Sequence, residues 1–270
     1  QMNSTVYNQM VSEMGNSMTM AAAREEADQA ASPVLDLLDI AGYNYAESRY
    51  EKDAVLHPDR LIVGTETYAY GLYRRWEMVK KLPGVIGDFM WTAWDYIGEA
   101  GIGGWSYDPE DTGFEKRYPW LLAEAGAFDI LGNETAEAGA ASIVWGARRD
   151  PWIGVSPLNH PGVTPSHAIW RGSNARPCWS YQGCEGNPAE IEIYSPGAKT
   201  ELFLNGRSLG RKPLEEQRAV FETVYEPGEL LAVSYDERGN CLGKSRLLSA
   251  VGKRRIRILP EEREAERGEL

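Results

Sequence analysis

The hydrophobic period of this chain changes partway along, and whatever fold it adopts has to accommodate both halves. In the first half, apolar runs alternate with amphipathic stretches. "PVLDLLDIAGYNY" (33–45) is an apolar run closed by a glycine, and "AESRYEKDAVLHPD" reads as a short amphipathic helix stopped at His57-Pro58. "RLIVGTE" (60–66) is a second strand. "YAYGLYRRWEMVKKLPG" places Leu72, Trp76 and Val79 at helical spacing before Pro83-Gly84, and "VIGDFMWTAWDY" is a third strand. Strands alternating with helices predict parallel β/α units. Their nearly continuous apolar runs predict a sheet covered on both faces.

From about Pro177 the period is two. "AEIEIYS", "TELFLNGRSLG", "RAVFETVY" and "ELLAVSYDERGNCLG" are short alternating strands, and Asn205-Gly206 and Gly239-Asn240 supply positive-φ residues for tight hairpins. A small antiparallel β-sandwich follows. The predicted organisation is an α/β part over 1–147, a connecting segment rich in Pro, Gly, Asn and Ser over 148–176, a sandwich over 177–252, and residues 253–270. The last of these is either a solvated tail or the start of a further β-domain. Both ends read as cut: residues 1–32 carry Met10, Met14 and Met18 in one helical stripe with no strand before them.

Charge and composition narrow the function. Lys+Arg total 28 against 40 Asp+Glu, a net charge of −12, and no basic stripe is present that could track a nucleic acid. No apolar run approaches the length of a membrane helix, and the start "QMNSTVYNQMVSEMG" lacks the basic and apolar regions of a signal peptide. Cys178 and Cys184 are close enough in sequence either to bridge or to remain thiols. "GEAGIGGWSY" has no helix to receive a phosphate, "DPEDTGFE" fails the calcium-loop spacing, and His57, His160 and His167 lack ligand spacing. No cofactor and no metal are expected.

The three strand ends carry the chemistry. They are Gly42-Tyr43-Asn44-Tyr45, Thr65-Glu66-Thr67 and Trp91-Thr92-Ala93-Trp94-Asp95-Tyr96. In parallel β/α barrels catalytic groups sit at the C-terminal ends of strands. Glu66 alone could be a salt-bridge partner, because acids are almost never buried unpaired. A carboxylate, a phenol, an amide and an indole from neighbouring strands would form a sugar-sized pocket with aromatic walls.

"LDIAGYNYAESRY", "RLIVGTET" and "GDFMWTAWDYIGEAG" closely resemble strands six, seven and eight of the catalytic (β/α)8 barrel of glycoside hydrolase family 2, the β-galactosidase and β-glucuronidase group. "CWSYQGCEGNPAEIEIYSPGAKTELFLNGRSLG" resembles the immunoglobulin-like β-sandwich that follows that barrel. The resemblance covers roughly 33–250 and implies the C-terminal portion of a retaining exo-β-glycosidase, β-galactosidase-like, acting on a terminal β-glycoside. It further implies that Glu66 is the nucleophile, Tyr45 the phenol that orients it and Trp91 the floor of the sugar subsite, with Asn44 and Asp95 beside them. The family's acid/base glutamate follows an asparagine at the end of strand four, upstream of this chain. Asn133-Glu134 comes after the third strand and reads instead as an N-cap and a first-turn charge. The expected partners are therefore a carbohydrate and the remaining, N-terminal part of the same polypeptide, and the isolated chain is expected to hydrolyse no aryl β-glycoside. The competing reading is a non-catalytic carbohydrate-binding or accessory module.

Overall fold

The computed structural model describes residues 10, 14, 17–108, 111, 116, 118–253 and 255–259. Three parallel strands, β1 (Ala41–Asn44), β2 (Ile62–Tyr68) and β3 (Val85–Trp91), form a sheet in the order β1-β2-β3. Before them lie α1 (Ser17–Ala22) and α2 (Glu25–Leu35); α3 (Tyr50–Leu56) crosses from β1 to β2, and α4 (Leu72–Lys81) from β2 to β3. The apolar run predicted as the first strand is divided. Pro33 to Leu35 finish α2 and pairing begins only at Ala41. Polar ties hold the end of α2: Arg60 donates to Asp36 at 2.5 Å and to Ser32 at 3.1 Å, across to the start of β2.

The sheet is covered on one face, not two. Ala41, Tyr43, Ile62 and Val85 are buried against Tyr50, Met78, Val79 and Leu82 of the crossover helices. On the opposite side Gly42, Asn44 and Thr65 are exposed, as are Ile86 (50 %) and Phe89 (65 %). Both crossovers lie on the same side, so the residues of opposite parity along each strand have nothing to pack on. The apolar runs predict two covered faces; among the described residues only one cover is present.

Under the covered face lie two ion-pair networks. Asp53 accepts from Tyr43 at 2.5 Å and from Arg49 at 2.9 Å, and burial together with Asp53 pushes the Tyr43 hydroxyl up to about 12. Asp88 of β3 accepts from Tyr50 at 3.3 Å, Thr67 at 3.1 Å and Arg75 of α4 at 3.1 Å. Arg75 also donates to the carbonyls of Tyr68 and Tyr70. Burying charges is tolerable only when they are paired and hydrogen-bonded, as here. Gly64 is required by this packing, because a Cβ there would lie 2.2 Å from the Tyr50 hydroxyl and 2.5 Å from Asp88 Oδ1.

After β3 a long connection carries β4 (Trp105–Ser106) and α5 (Ala136–Val144). Two antiparallel sheets follow. One contains β5 (Trp152–Val155), β7 (Pro188–Tyr194) and β10 (Arg218–Val224) in the order β10-β7-β5. The other contains β8 (Lys199–Leu204), β9 (Arg207–Pro213), β11 (Glu229–Tyr235) and β12 (Cys241–Leu248) in the order β12-β11-β8-β9. Ile153, Val155, Ile191, Ile193 and Phe221 from the first meet Leu202, Leu204, Leu230 and Ala232 from the second in one core around Trp179.

Several details depart from the sequence reading. Segment 148–176 is not all connection: β5 lies within it and pairs with β7, and β6 (Ser166–His167) pairs with β4. β5 is only four residues long and buried throughout, so no alternation marks it. The Asn205-Gly206 hairpin has both residues at positive φ (50° and 80°), whereas at Gly239-Asn240 the glycine alone does (85°). Asn240 instead donates its backbone and side-chain N–H groups to Asp236 at 2.8 and 2.9 Å. Residues 255–259 form no strand, and 260–270, with most of "DPEDTGFE", lie outside the described residues. The three cysteines are free thiols.

Candidate active site

The backbone itself joins the first two strand ends. Asn44 and Glu66 are partners across the β1–β2 pair, and the Tyr45 N–H donates to the Glu66 carbonyl at 2.7 Å. On the other side of β2 the register slips: Gly64 pairs with Asp88 and Thr67 with Met90, so Thr65 and Glu66 together face the single residue Phe89. Two residues opposite one is a bulge, which turns a side chain away from the regular alternation. It falls at Glu66. The residues after it are anchored by Thr67 to Asp88 and by the Tyr68 carbonyl to Arg75, so the strand end that carries Glu66 is braced from below.

Tyr45 sits at φ 51°, in the left-handed region, and its ring lies 4.5 Å from that of Tyr68. Its hydroxyl accepts from the Trp170 indole at 3.1 Å. Burial raises the Tyr45 pKa well above the ordinary phenol value, and the neighbouring Glu66 adds to the rise both by its charge and by a hydrogen bond. Tyr45 and Glu66 are thus joined through their backbones, and the nearby Glu66 charge favours the neutral phenol.

Trp91 ends β3 as the partner of Tyr68, and its ring meets Tyr96 edge-on at 6.0 Å. The Trp91–Thr92 peptide is cis. Trp91 packs with Tyr45 against one cluster that contains Tyr68, Ile102, Ala123, Ala125 and Trp170. Asn44 is exposed and accepts from the Thr65 hydroxyl at 2.6 Å. Asp95 is buried (5 % exposed); its backbone N–H meets the Phe128 carbonyl at 2.9 Å and its charge acts on Glu124. Burial raises the Glu124 carboxyl; Lys116, Arg171 and Arg176 pull it down and Asp95 pushes it up.

The structure thus gathers Glu66, Tyr45, Asn44 and Trp91 at neighbouring strand ends, while Asp95, just beyond β3, is buried. A carboxylate with a phenol donor beside an indole can hold a polyhydroxylated ring and present an oxygen nucleophile to it. Sequence reasoning missed Trp170, a lone aromatic in a stretch without periodicity. It becomes visible only through its contact with Tyr45, 125 residues away in sequence.

Glu134 is structural. It accepts from Arg148 at 2.6 Å and from the Trp152 indole at 3.0 Å, tying the start of α5 to its far end and to β5. The N-cap of α5 is Thr135, not Asn133, whose amide binds Asp129 at 2.9 Å. Among the described residues one group could surround a cation: Asp28, Asp53 and His57, with ligand atoms within 4.8 Å of one another. Arg49 already pairs with Asp28 at 2.7 Å and Asp53 at 2.9 Å, and Arg60 lies 3.6 Å from Asp53, so the positive charge the acids need is in place. No helix among the described residues is long and apolar enough to cross a membrane.

Comparison with known proteins places these features. A family model described as "Domain of unknown function (DUF4982)" matches residues 186–243, within the sandwich. The chain is 29% identical over 166 residues to a "Putative beta-glucuronidase" of Formosa agariphila, covering 59% of this chain and 13% of that protein. It is 24% identical over 179 residues to "Beta-galactosidase BoGH2A" of Bacteroides ovatus, covering 66% of this chain and 17% of that one. A solved glycosyl hydrolase family 2 member from Bacteroides cellulosilyticus superimposes with a TM-score of 0.71 at 36% identity, over 85% of this chain and 29% of the other. The chain thus spans less than a third of each of these proteins. On these likenesses the chain belongs to glycoside hydrolase family 2.

Proposed function

We propose that this chain is part of a retaining exo-β-glycosidase in which Glu66 is the nucleophile. In this reading β1, β2 and β3 are strands six to eight of a (β/α)8 barrel, and the antiparallel sheets are the immunoglobulin-like domain that follows. Domain limits at 1–147, 148–176 and 177–252 then need one adjustment, since β5 pairs into the sandwich. The exposed face bearing Phe89 and Ile86 becomes the barrel interior, filled by side chains of the remaining strands.

The observation that carries the proposal is Glu66 at a bulged strand end, its carbonyl bonded to the Tyr45 N–H at 2.7 Å on one side and the β3 end at Trp91 on the other. Glu66 attacks the anomeric carbon and forms a glycosyl ester while a second carboxyl protonates the departing oxygen; water then cleaves the ester with that second group as base. The second carboxyl must lie about 5–5.5 Å from the nucleophile. We assign it to the end of strand four, in the N-terminal part of the polypeptide. Trp91 supplies the apolar wall for the ring and Asn44 a polar contact, while Asp95, buried at 5 % exposure, acts from behind them.

The terminal sugar is proposed as a β-galactoside. A β-glucuronide is the second reading, favoured by the name of the Formosa relative. The test is to express the longer family-2 protein with Glu66→Gln and assay both nitrophenyl glycosides. The proposal expects a loss in kcat on the order of 10⁴-fold or more with the fold intact, as for other nucleophile deletions. Normal turnover by the variant would overturn it and leave the carbohydrate-binding module as the better reading. The present chain alone should turn over neither substrate.

A further inference from the structure

The glycines of "GEAGIGGWSY" (98–107) are required by the turn that leads into β4. Gly101 sits at φ 83°, and a Cβ there would lie 2.7 Å from the Lys116 side chain. A Cβ on Gly103 would lie 2.3 Å from the Glu124 carbonyl oxygen. This turn delivers Trp105 and Tyr107, which are two residues apart and so share one side of the extended chain. Trp105 is paired with His167 across β4 and β6, and their rings stack at 4.3 Å. Tyr107 stacks on His160 at 4.1 Å. All four rings line a cleft of about 640 Å³, a volume in the range of small-molecule sites.

The sandwich supplies carboxylates to the same cleft. Glu190 of β7 and Glu222 of β10 line it, and they are direct partners across the β10–β7 pair. Both are exposed, on the face of that sheet opposite to the core residues Ile191 and Phe221. Like charges directly opposite one another cost stability. Neither has an ion pair among the described residues, because Arg218 is engaged by Glu192 at 3.3 Å. Glu190 accepts one hydrogen bond, from the Ser156 hydroxyl at 3.4 Å. The Tyr107 hydroxyl accepts from the Asn174 amide at 2.7 Å, so its own proton is directed elsewhere.

We propose that this cleft binds a neutral oligosaccharide. The rings offer flat apolar surface for the C–H faces of sugars. Two carboxylates accept and one phenol donates, which suits hydroxyl groups, since each of these both donates and accepts. An ammonium ligand only donates and would leave the Tyr107 proton unanswered. A uronate or phosphate would meet two carboxylates with no cation to offset them. None of Asn44, Tyr45, Glu66 and Trp91 lines the cleft, so the proposal does not depend on the reading of Glu66.

The test is isothermal titration of the longer family-2 protein with β-1,4-galactotetraose and with cellotetraose, beside tetragalacturonate as an acidic probe. Trp105→Ala should weaken one bound neutral tetrasaccharide per chain about tenfold, with an unchanged unfolding midpoint as evidence that the variant folds. If that variant does not fold, Glu222→Ala takes its place and should weaken the same site by a similar factor. Tetragalacturonate should bind the cleft only after Glu190→Gln and Glu222→Gln are combined. Because each readout is a difference between a cleft variant and its parent, it holds whether or not Glu66→Gln abolishes turnover. Binding of neither neutral sugar, or binding that Trp105→Ala and Glu222→Ala leave unchanged, would overturn the proposal. So would a cleft that takes a tetralysine peptide, more tightly at low salt, in preference to both sugars.

Discussion

The sandwich and the parallel sheet are held together by different physics. The sandwich closes on itself: Ile191, Leu202, Leu204, Leu230 and Phe221 are at most 1 % exposed and come from both of its sheets. The parallel sheet keeps one face open, and beneath its covered face runs a layer of buried ion pairs, Asp53 with Arg49 and Asp88 with Arg75. Apolar burial is non-directional and sets overall stability. Paired charges are a weak source of net stability, but each pair fixes a geometry. The half that carries the candidate site is thus the half that relies on directional contacts, which is what a side chain held to within a fraction of an ångström requires.

The largest effect should come from the closed core. Phe221→Ala should cost about 3–5 kcal/mol in denaturant unfolding, the range for deleting a buried aromatic ring. A cost below about 1 kcal/mol would mean that the two sheets do not share one core. Next comes Gly64→Ala, whose new methyl would be forced against Tyr50 and Asp88. It should cost about 1–3 kcal/mol and raise hydrogen exchange along β2 first, leaving the sandwich amides protected.

The extent to which the sequence foretold the fold follows the same division. β2, α4 and the start of β3 lie close to where periodicity puts them, and β7, β8, β10 and β11 largely alternate between legible turns, while β9 is exposed along most of its length. Periodicity extends β1 too far, because the apolar residues after Pro33 serve the end of α2 as well as a strand. β5 escaped notice, since four buried residues in a Pro- and Gly-rich stretch show neither period. Nor does composition tell an open face from a covered one: an apolar strand residue looks the same whichever segment packs on it. At the site, the strand-end residues were legible one at a time. Their bracing was not, because Asp88, Arg75 and Trp170 act through contacts between segments distant in sequence.

A smaller effect should appear in the pH dependence of stability, through Glu124. Burial raises the Glu124 carboxyl above its ordinary value, so folding favours the protonated form. Its contribution to stability is present below the unfolded-state value and is lost as pH rises through the folded-state value. Glu124→Gln should therefore flatten the fall in stability between acidic and neutral pH, read by urea unfolding at a series of pH values. A parallel offset of the two curves would contradict this. The smallest change in stability is expected on the open face: Phe89→Ser should alter unfolding by no more than about 0.5 kcal/mol, as for other exposed positions. It should nevertheless reduce self-association in sedimentation, because exposed apolar patches drive contact.

The central claim is that Glu66 forms a bond to the sugar. The most direct measurement is mass spectrometry of the longer family-2 protein after incubation with a 2-deoxy-2-fluoro-β-glycoside, whose glycosyl ester with the enzyme is slow to hydrolyse. One glycosyl unit is expected on the peptide that contains Glu66, and none when Glu66 is replaced by Gln. An adduct on a different carboxylate, in an enzyme that still turns over its substrate, would contradict it.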